Sequence, residues 1–414
     1  MLFTFFLQPV SAEPTAAKGT NASDAPGPSD ASAYKATSVI LADVERGQVL
    51  FEKNSKMPLH ISAACKLMTV LLAIESGELT SNVTISSDSV DAKGSALSLE
   101  AGKKYLLGDL LYGIMLTSAN DAASAVAESI GGDIPKFVAS MNEKAAKLGM
   151  KDTHFVNPTG LFDEEQYTTA YDISLLIKYA FTKPVFKTIF SEKARPWEYD
   201  AGSKILTSQN KLFWSYSGIT GGKTGYNEKG KQSAVVTAGR NGMELIAVVL
   251  DSPEEVLFTD TAKLLDYGFD NFMKSILVNS GEVLKTVTVE ENDINLVSQS
   301  DIYYIHPLGE SYIKEFSTTT DIKPPISKSK PAGVARYLLQ DNSLIEVNLY
   351  PQTEMITPPP EDFIATAKKQ IMANKDIVYL VLFLLLLEFI FMVAGLVRLF
   401  RRLSRKRQER RRSR

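Results

Sequence analysis

Cysteine is nearly absent from this chain of 414 residues: Cys65 is the only one. No intrachain disulfide can form, so packing and hydrogen bonds must hold the fold. Histidine is almost as scarce, with His60, His154 and His306 far apart in sequence. They lack the spacing of metal ligands, which argues against a zinc site, and no cofactor is implied. Internal repeats are missing as well. Long apolar runs are also lacking, with one exception. Residues 377–397 hold a single charged side chain, Glu388.

That run is long enough to cross a bilayer as a helix. Residues 398–414 follow it with ten Lys or Arg and one Glu, a local charge of +9, although the whole chain carries a formal −3. A basic tail after a span marks the cytoplasmic side, so a single-pass membrane protein with its bulk outside the cytoplasm is expected. A nucleic-acid patch is not. The competing readings are a buried core helix for the run, and lipid or partner binding for the tail. Glu388 is either a partner-binding group inside the membrane or a side chain sheltered in a bundle. At the other end, residues 1–12 read as a signal peptide closing on Val10-Ser11-Ala12. Its apolar run is short and lacks a basic leader, so a truncated start is expected. Residues 13–33 are rich in Ala, Gly, Pro, Ser and Asp and read as a disordered spacer.

Between these ends the pattern changes once. "SVILADVERGQVLFEKN" alternates around Arg46-Gly47 and reads as a hairpin. Helical patterns follow from about Ala63, with a break near Thr117 and a stop at Gly149. "KQSAVVTAGRNGMELIAVVLDS" then reads as two strands joined by Arg240-Asn241-Gly242, and "TDTAKLLDYGFDNFM" as a helix. Strands at both ends with helices between them predict an α+β domain over 34–275. Residues 276–356 hold short alternating runs and turn residues, a small all-β domain. Residues 357–376, with Pro358-Pro359-Pro360, form a linker to the span.

Three short motifs stand in order: "SAACKLMT" at the first helix, Ser118-Ala119-Asn120, and Lys223-Thr224-Gly225 before the strand pair. Ala63 to Ser118 is 55 residues and Ser118 to Lys223 is 105. The arrangement resembles the Ser-x-x-Lys, Ser-x-Asn and Lys-Thr-Gly set of penicillin-binding proteins and serine β-lactamases. A serine hydroxyl needs a base within hydrogen-bond reach. A lysine one helical turn later shares its face and can serve once its pKa is lowered. The second serine relays protons and its asparagine holds a substrate amide. The Lys-Thr-Gly strand offers a cation, a hydroxyl and backbone donors, and Gly225 leaves room for a substrate backbone. Single motifs are common by chance; order and surroundings carry the reading.

Those surroundings include "ILADVERGQVLFEKN", "LLYGIMLTSANDAASAVAE", "MNEKAAKLGMKDTHFVNPTGL" and "GGKTGYNEKGKQSAVVTA". From about Ala36 to Phe272 the chain resembles the D-alanyl-D-alanine carboxypeptidases of peptidase family S11, low-molecular-mass penicillin-binding proteins. The resemblance implies a transpeptidase-type antiparallel sheet flanked by helices. It also implies a peptidoglycan stem peptide ending in D-Ala-D-Ala as substrate, and β-lactam binding. By the same resemblance Lys66 is the general base, Ser118 and Asn120 form the second motif, and Lys223, Thr224 and Gly225 bind substrate. The Tyr226 N–H is the second oxyanion donor.

The nucleophile position falls on Ala63, whose methyl group cannot attack a carbonyl. Leu257 stands where the family carries an arginine toward the substrate carboxylate, and Gln166 where histidine is frequent. The reading that follows is a retained fold and cleft with acyl transfer lost, in a protein that binds stem peptides or serves as a scaffold. Three alternatives stay open. Ser62, at i−4 from Lys66, could replace the hydroxyl, against its plainer use as a helix N-cap. Ordinary carboxypeptidase activity could persist by local realignment. The chain could also be a membrane signalling protein. Cys65, a thiol about 100° round the helix from Lys66, is expected to be a small core residue.

Overall fold

The computed structural model describes residues 31–60, 62–199, 202–227, 231–309, 312–355, 368, 373 and 375–412. The signal-peptide reading, most of the spacer and most of the linker lie outside them. Of the spacer, Ala31–Ala33 form a single 3-10 turn.

The elements of the larger part run in order β1 (Ser38–Asp43), β2 (Val49–Lys53), α1 (Ser62–Ser76), β3 (Asn82–Thr84), α2 (Ser87–Val90), β4 (Lys104–Leu106), α3 (Leu107–Thr117), α4 (Asn120–Gly131), α5 (Ile134–Lys147), α6 (Ala170–Ala180), α7 (Pro184–Phe190), β5 (Ala194–Tyr199), β6 (Gly202–Thr207), α8 (Leu212–Ser215), β7 (Ile219–Tyr226), β8 (Gln232–Arg240), β9 (Met243–Ser252) and α9 (Leu257–Asn271). The main sheet is antiparallel in the order β2-β1-β9-β8-β7. Its central strands are buried on both faces. Val39, Leu41, Ala247 and Val249 face one core with α9, while Ile40, Ala42, Ile246 and Val248 face the other with α1, α3, α4 and α6. Burial on both faces replaces polar alternation with continuous apolar runs in β1 and β9.

Turn chemistry closes the pieces. Asn241 and Gly242 both take positive φ (53° and 77°) in the β8–β9 hairpin, as a primed turn requires. The break foreseen near Thr117 falls at Ser118-Ala119: α3 ends with Ser118 as a left-handed cap, and α4 restarts at Asn120. The Asp121 carboxylate, 1% exposed, accepts backbone N–H bonds from Leu97 (3.0 Å), Ser98 (2.9 Å) and Leu99 (3.1 Å). It pins the loop before β4 to the start of α4.

Beyond α9 come β10 (Phe272–Val278), β11 (Val283–Val289), β12 (Asn292–Val297), β13 (Ile302–Pro307), β14 (Ile313–Thr320), β15 (Gly333–Leu339) and β16 (Leu344–Pro351). β10 pairs with β13, and a five-stranded sheet runs β11-β12-β16-β15-β14. Two compact units result. One runs through Glu282 and takes in Ser298–Thr318 and Val334–Val347; the other comprises Val283–Val297, Thr319–Gly333 and the chain from Asn348 on. A last helix, α10 (Lys375–Arg412), contains the one stretch among the described residues long and apolar enough to cross a membrane, Tyr379–Leu399.

Replacing Asp121 by Ala would leave four backbone donors, those of Leu97, Ser98, Leu99 and Ala122, without their shared acceptor. Asp121→Ala should destabilise the full chain by about 3 kcal/mol. The measurement is a lower urea midpoint at unchanged slope.

Candidate active site

The first turn of α1, the α3–α4 junction, the 157–163 loop and the end of β7 meet around one cleft of about 220 Å³. Ser62, Lys66, Ser118, Asn120 and Tyr226 line it, so the first two motifs meet the residue that follows the third. Ala63 does not line it and is 1% exposed. Lys223, Thr224 and Gly225 lie behind its wall, all buried.

β7 is the edge strand of the main sheet, and α1 approaches it very closely. A Cβ added to Gly225 would sit 2.6 Å from Ser62 Oγ, 3.0 Å from the Ala63 nitrogen and 3.3 Å from Ala63 Cβ. The room that Gly225 was expected to give a substrate is thus taken by the helix start. On the other side Gly160, at φ +74°, backs onto Ser62, whose Cα would lie 2.5 Å from an added Cβ. Ser62 itself is the first residue of α1, and among the described residues no helix N–H donates to its hydroxyl. The hydroxyl lies against Gly225.

Lys66 stands one turn into the helix, 3% exposed, and its Nζ donates to the Thr159 carbonyl. Lys223 is 2% exposed and its Nζ donates to the Thr224 carbonyl at 3.1 Å. Neither has a carboxylate partner among the described residues. Burial pushes Lys66 down from 10.5 to about 8. Burial, with the Lys66 charge adding to it, pushes Lys223 down to about 7. The Cys65 thiol, buried in the core, is pushed up to about 12, so a thiolate nucleophile is scarce near neutral pH.

Ser118 holds φ 61° and ψ 32°, a strained position for a residue with a Cβ, and this conformation aims it into the cleft. Asn120 donates from Nδ2 to the Lys93 carbonyl at 2.5 Å, and its Oδ1 is buried without a partner. An added Cβ on Gly94 would meet that amide at 2.8 Å, so the glycine makes room for it.

Sequence reasoning missed the opposite wall. Asn157 Oδ1 accepts from the Gly160 N–H (2.7 Å) and the Thr159 hydroxyl (2.9 Å). Gln166 accepts from Val156 and Asn157 N–H (3.1 Å each) and donates to Leu161 O (3.0 Å). Gln166 thus shapes the loop that carries the Lys66 acceptor. Leu161 and Phe162 stand exposed at the mouth, with His60 edge-on to Phe162 at 5.0 Å. Leu257, by contrast, is fully buried in the core under α9 and does not line the cleft.

The sequence matches the D-alanyl-D-alanine carboxypeptidase family, peptidase S11, over residues 22–254. The chain belongs to that family. Residues 272–356 match the C-terminal domain of penicillin-binding protein 5. D-alanyl-D-alanine carboxypeptidase DacF of Bacillus subtilis is 33% identical over 319 residues, covering 73% of this chain and 81% of that protein. DacB2 of Mycobacterium tuberculosis is 32% identical over 237 residues, covering 56% and 81%. Penicillin-binding protein 5 from Haemophilus influenzae superposes with a TM-score of 0.66 at 26% identity, over 78% of this chain and 98% of that one. The S11 carboxypeptidase fold is therefore a penicillin-binding-protein-like transpeptidase fold followed by an all-β domain, as the α+β reading anticipated.

Both buried lysines have folded pKa values below the unfolded 10.5. The unfolded chain therefore binds more protons between about pH 7 and 10.5, and stability rises with pH through that window. The Tm of the full chain should climb from about pH 7 to pH 9, and Lys223→Met should flatten that climb. A parental Tm that is level or falling across the window would contradict the assignment.

Proposed function

We propose that this chain is a membrane-anchored, extracytoplasmic S11-family protein that binds peptidoglycan stem peptides ending in D-Ala-D-Ala, and β-lactams, with acyl transfer lost or strongly impaired. One observation carries the reading. The methyl group of Ala63 faces Gly225 of β7, one helical turn before Lys66, where the family's nucleophile belongs. The remaining parts support binding. Lys66 keeps the position of the base, with its pKa lowered by burial. Ser118 and Asn120 line the cleft, and Asn120 Oδ1 is an acceptor without a partner. The N–H groups of Ala63 and Tyr226 are the oxyanion donors by family position. Lys223, Thr224 and Gly225 stand by family position as the substrate strand, with Tyr226 at its end the residue that reaches the cleft. Anchoring is supported by the apolar Tyr379–Leu399 stretch, none of it buried, followed by the arginine-rich end that faces the cytoplasm.

A second reading has its own observation. Ser62, not Ala63, lines the cleft beside Lys66. Against it, no hydrogen bond joins Ser62 to Lys66, whose amine is engaged by Thr159. Removing a triad nucleophile costs on the order of 10⁶ in turnover. The purified full chain in detergent, incubated with a reporter penicillin, should therefore show no covalent mass increment, and Ala63→Ser should gain one. An adduct on the natural chain that Ser62→Ala abolishes would establish the second reading instead.

A further inference from the structure

We propose that α10 docks at mid-bilayer against a transmembrane helix of another protein, one that carries a single Lys or Arg opposite Glu388. The inference rests on the membrane-anchored reading above. α10 runs unbroken from Lys375 to Arg412, and no part of its apolar stretch is buried against the rest of the described chain. Glu388 lies near the middle of that stretch and is exposed. Among the described residues no hydrogen bond or ion pair engages it. Hydrocarbon offers a carboxyl group no hydrogen-bond partner, charged or neutral, so intramembrane acids face other protein groups.

Helical spacing sets Val381, Leu384, Met392 and Gly395 on the same face as Glu388. A Cβ added to Gly395 would meet nothing within 4 Å. A glycine one heptad from the acid, about 10 Å along the axis, lets a neighbouring backbone come close on the same face.

Charge decides the occupant. A second copy would set one +9 tail against another, which is repulsive, and would offer Glu388 an identical group in place of a complementary one. A helix with a basic residue at mid-depth meets Glu388 with the opposite sign, and an acidic segment beside the membrane would complement the tail. Glu388 is the only charged residue from 377 to 397, so pairing specificity within the span falls on it.

The test uses the full chain, donor-labelled and reconstituted in phosphatidylcholine vesicles, with an acceptor-labelled Leu/Ala transmembrane peptide bearing a central Lys or, as control, Leu. Zwitterionic lipid removes the attraction of the tail to anionic headgroups. By energy transfer the Lys peptide should associate about fivefold or more tightly than the control. Glu388→Leu should abolish that preference and Glu388→Asp should keep part of it. Equal association of the two peptides, no association, or Glu388-dependent transfer between copies of the chain itself would overturn the proposal. Alkaline extraction reads insertion separately. Release of the chain from the vesicles overturns anchoring and docking together, whereas an inserted chain without the Lys preference overturns docking alone.

Discussion

The first turn of α1 is held between two glycines, and the cleft depends on that close fit. Gly225 of the edge strand lies against Ser62 Oγ and the Ala63 nitrogen, and Gly160 of the facing loop backs onto the Ser62 backbone. Neither contact leaves space for a Cβ. Any side chain at either glycine would push the helix from the strand and separate Lys66 from Ser118 and Asn120. The loop that holds Gly160 is fixed in turn by Asn157 and Gln166 through hydrogen bonds to its own backbone. Helix, strand and loop thus constrain one another, and the side chains that line the cleft follow from that backbone arrangement.

This constraint also explains why the loss of one hydroxyl need not disturb the rest. A serine at 63 would add one oxygen to a position already set by the helix. Alanine keeps the backbone N–H, the helix propensity and the packing of α1. The two lysines remain buried, one donating to Thr159 and the other to Thr224. Under the proposed function, what changes is the chemistry: a base without a nucleophile in front of it.

Much of the fold was legible in the sequence, where local signals were strong. The β1–β2 and β8–β9 hairpins carry turn residues between apolar runs, and the α3–α4 break stands at Ser118. Other elements gave no such signal. β6 exposes five of its six residues, so no period-two pattern marks it, and Pro196 inside β5 speaks against a strand. β3 and β4 are three residues each. In the site, the three motifs announced themselves as side chains. The Lys66 acceptor is a backbone carbonyl 93 residues away, and the left-handed turn at Ser118 depends on tertiary packing; neither is written in residue type. Gln166 was visible only as a departure from the family pattern, while its three hydrogen bonds give it a structural task. Leu257 was read as a lost carboxylate clamp, and it sits in the core.

The uncompensated lysine pair has a consequence for calorimetry. With folded pKa values of about 8 and 7, Lys66 and Lys223 are partly deprotonated near neutral pH. An anionic ligand settling beside them favours their charged forms, so the protein draws protons from the buffer as the ligand enters. Apparent binding enthalpy then varies with the ionisation heat of the buffer, and affinity weakens as the solution becomes more alkaline. Uptake of such an anion would thus be coupled to uptake of a proton.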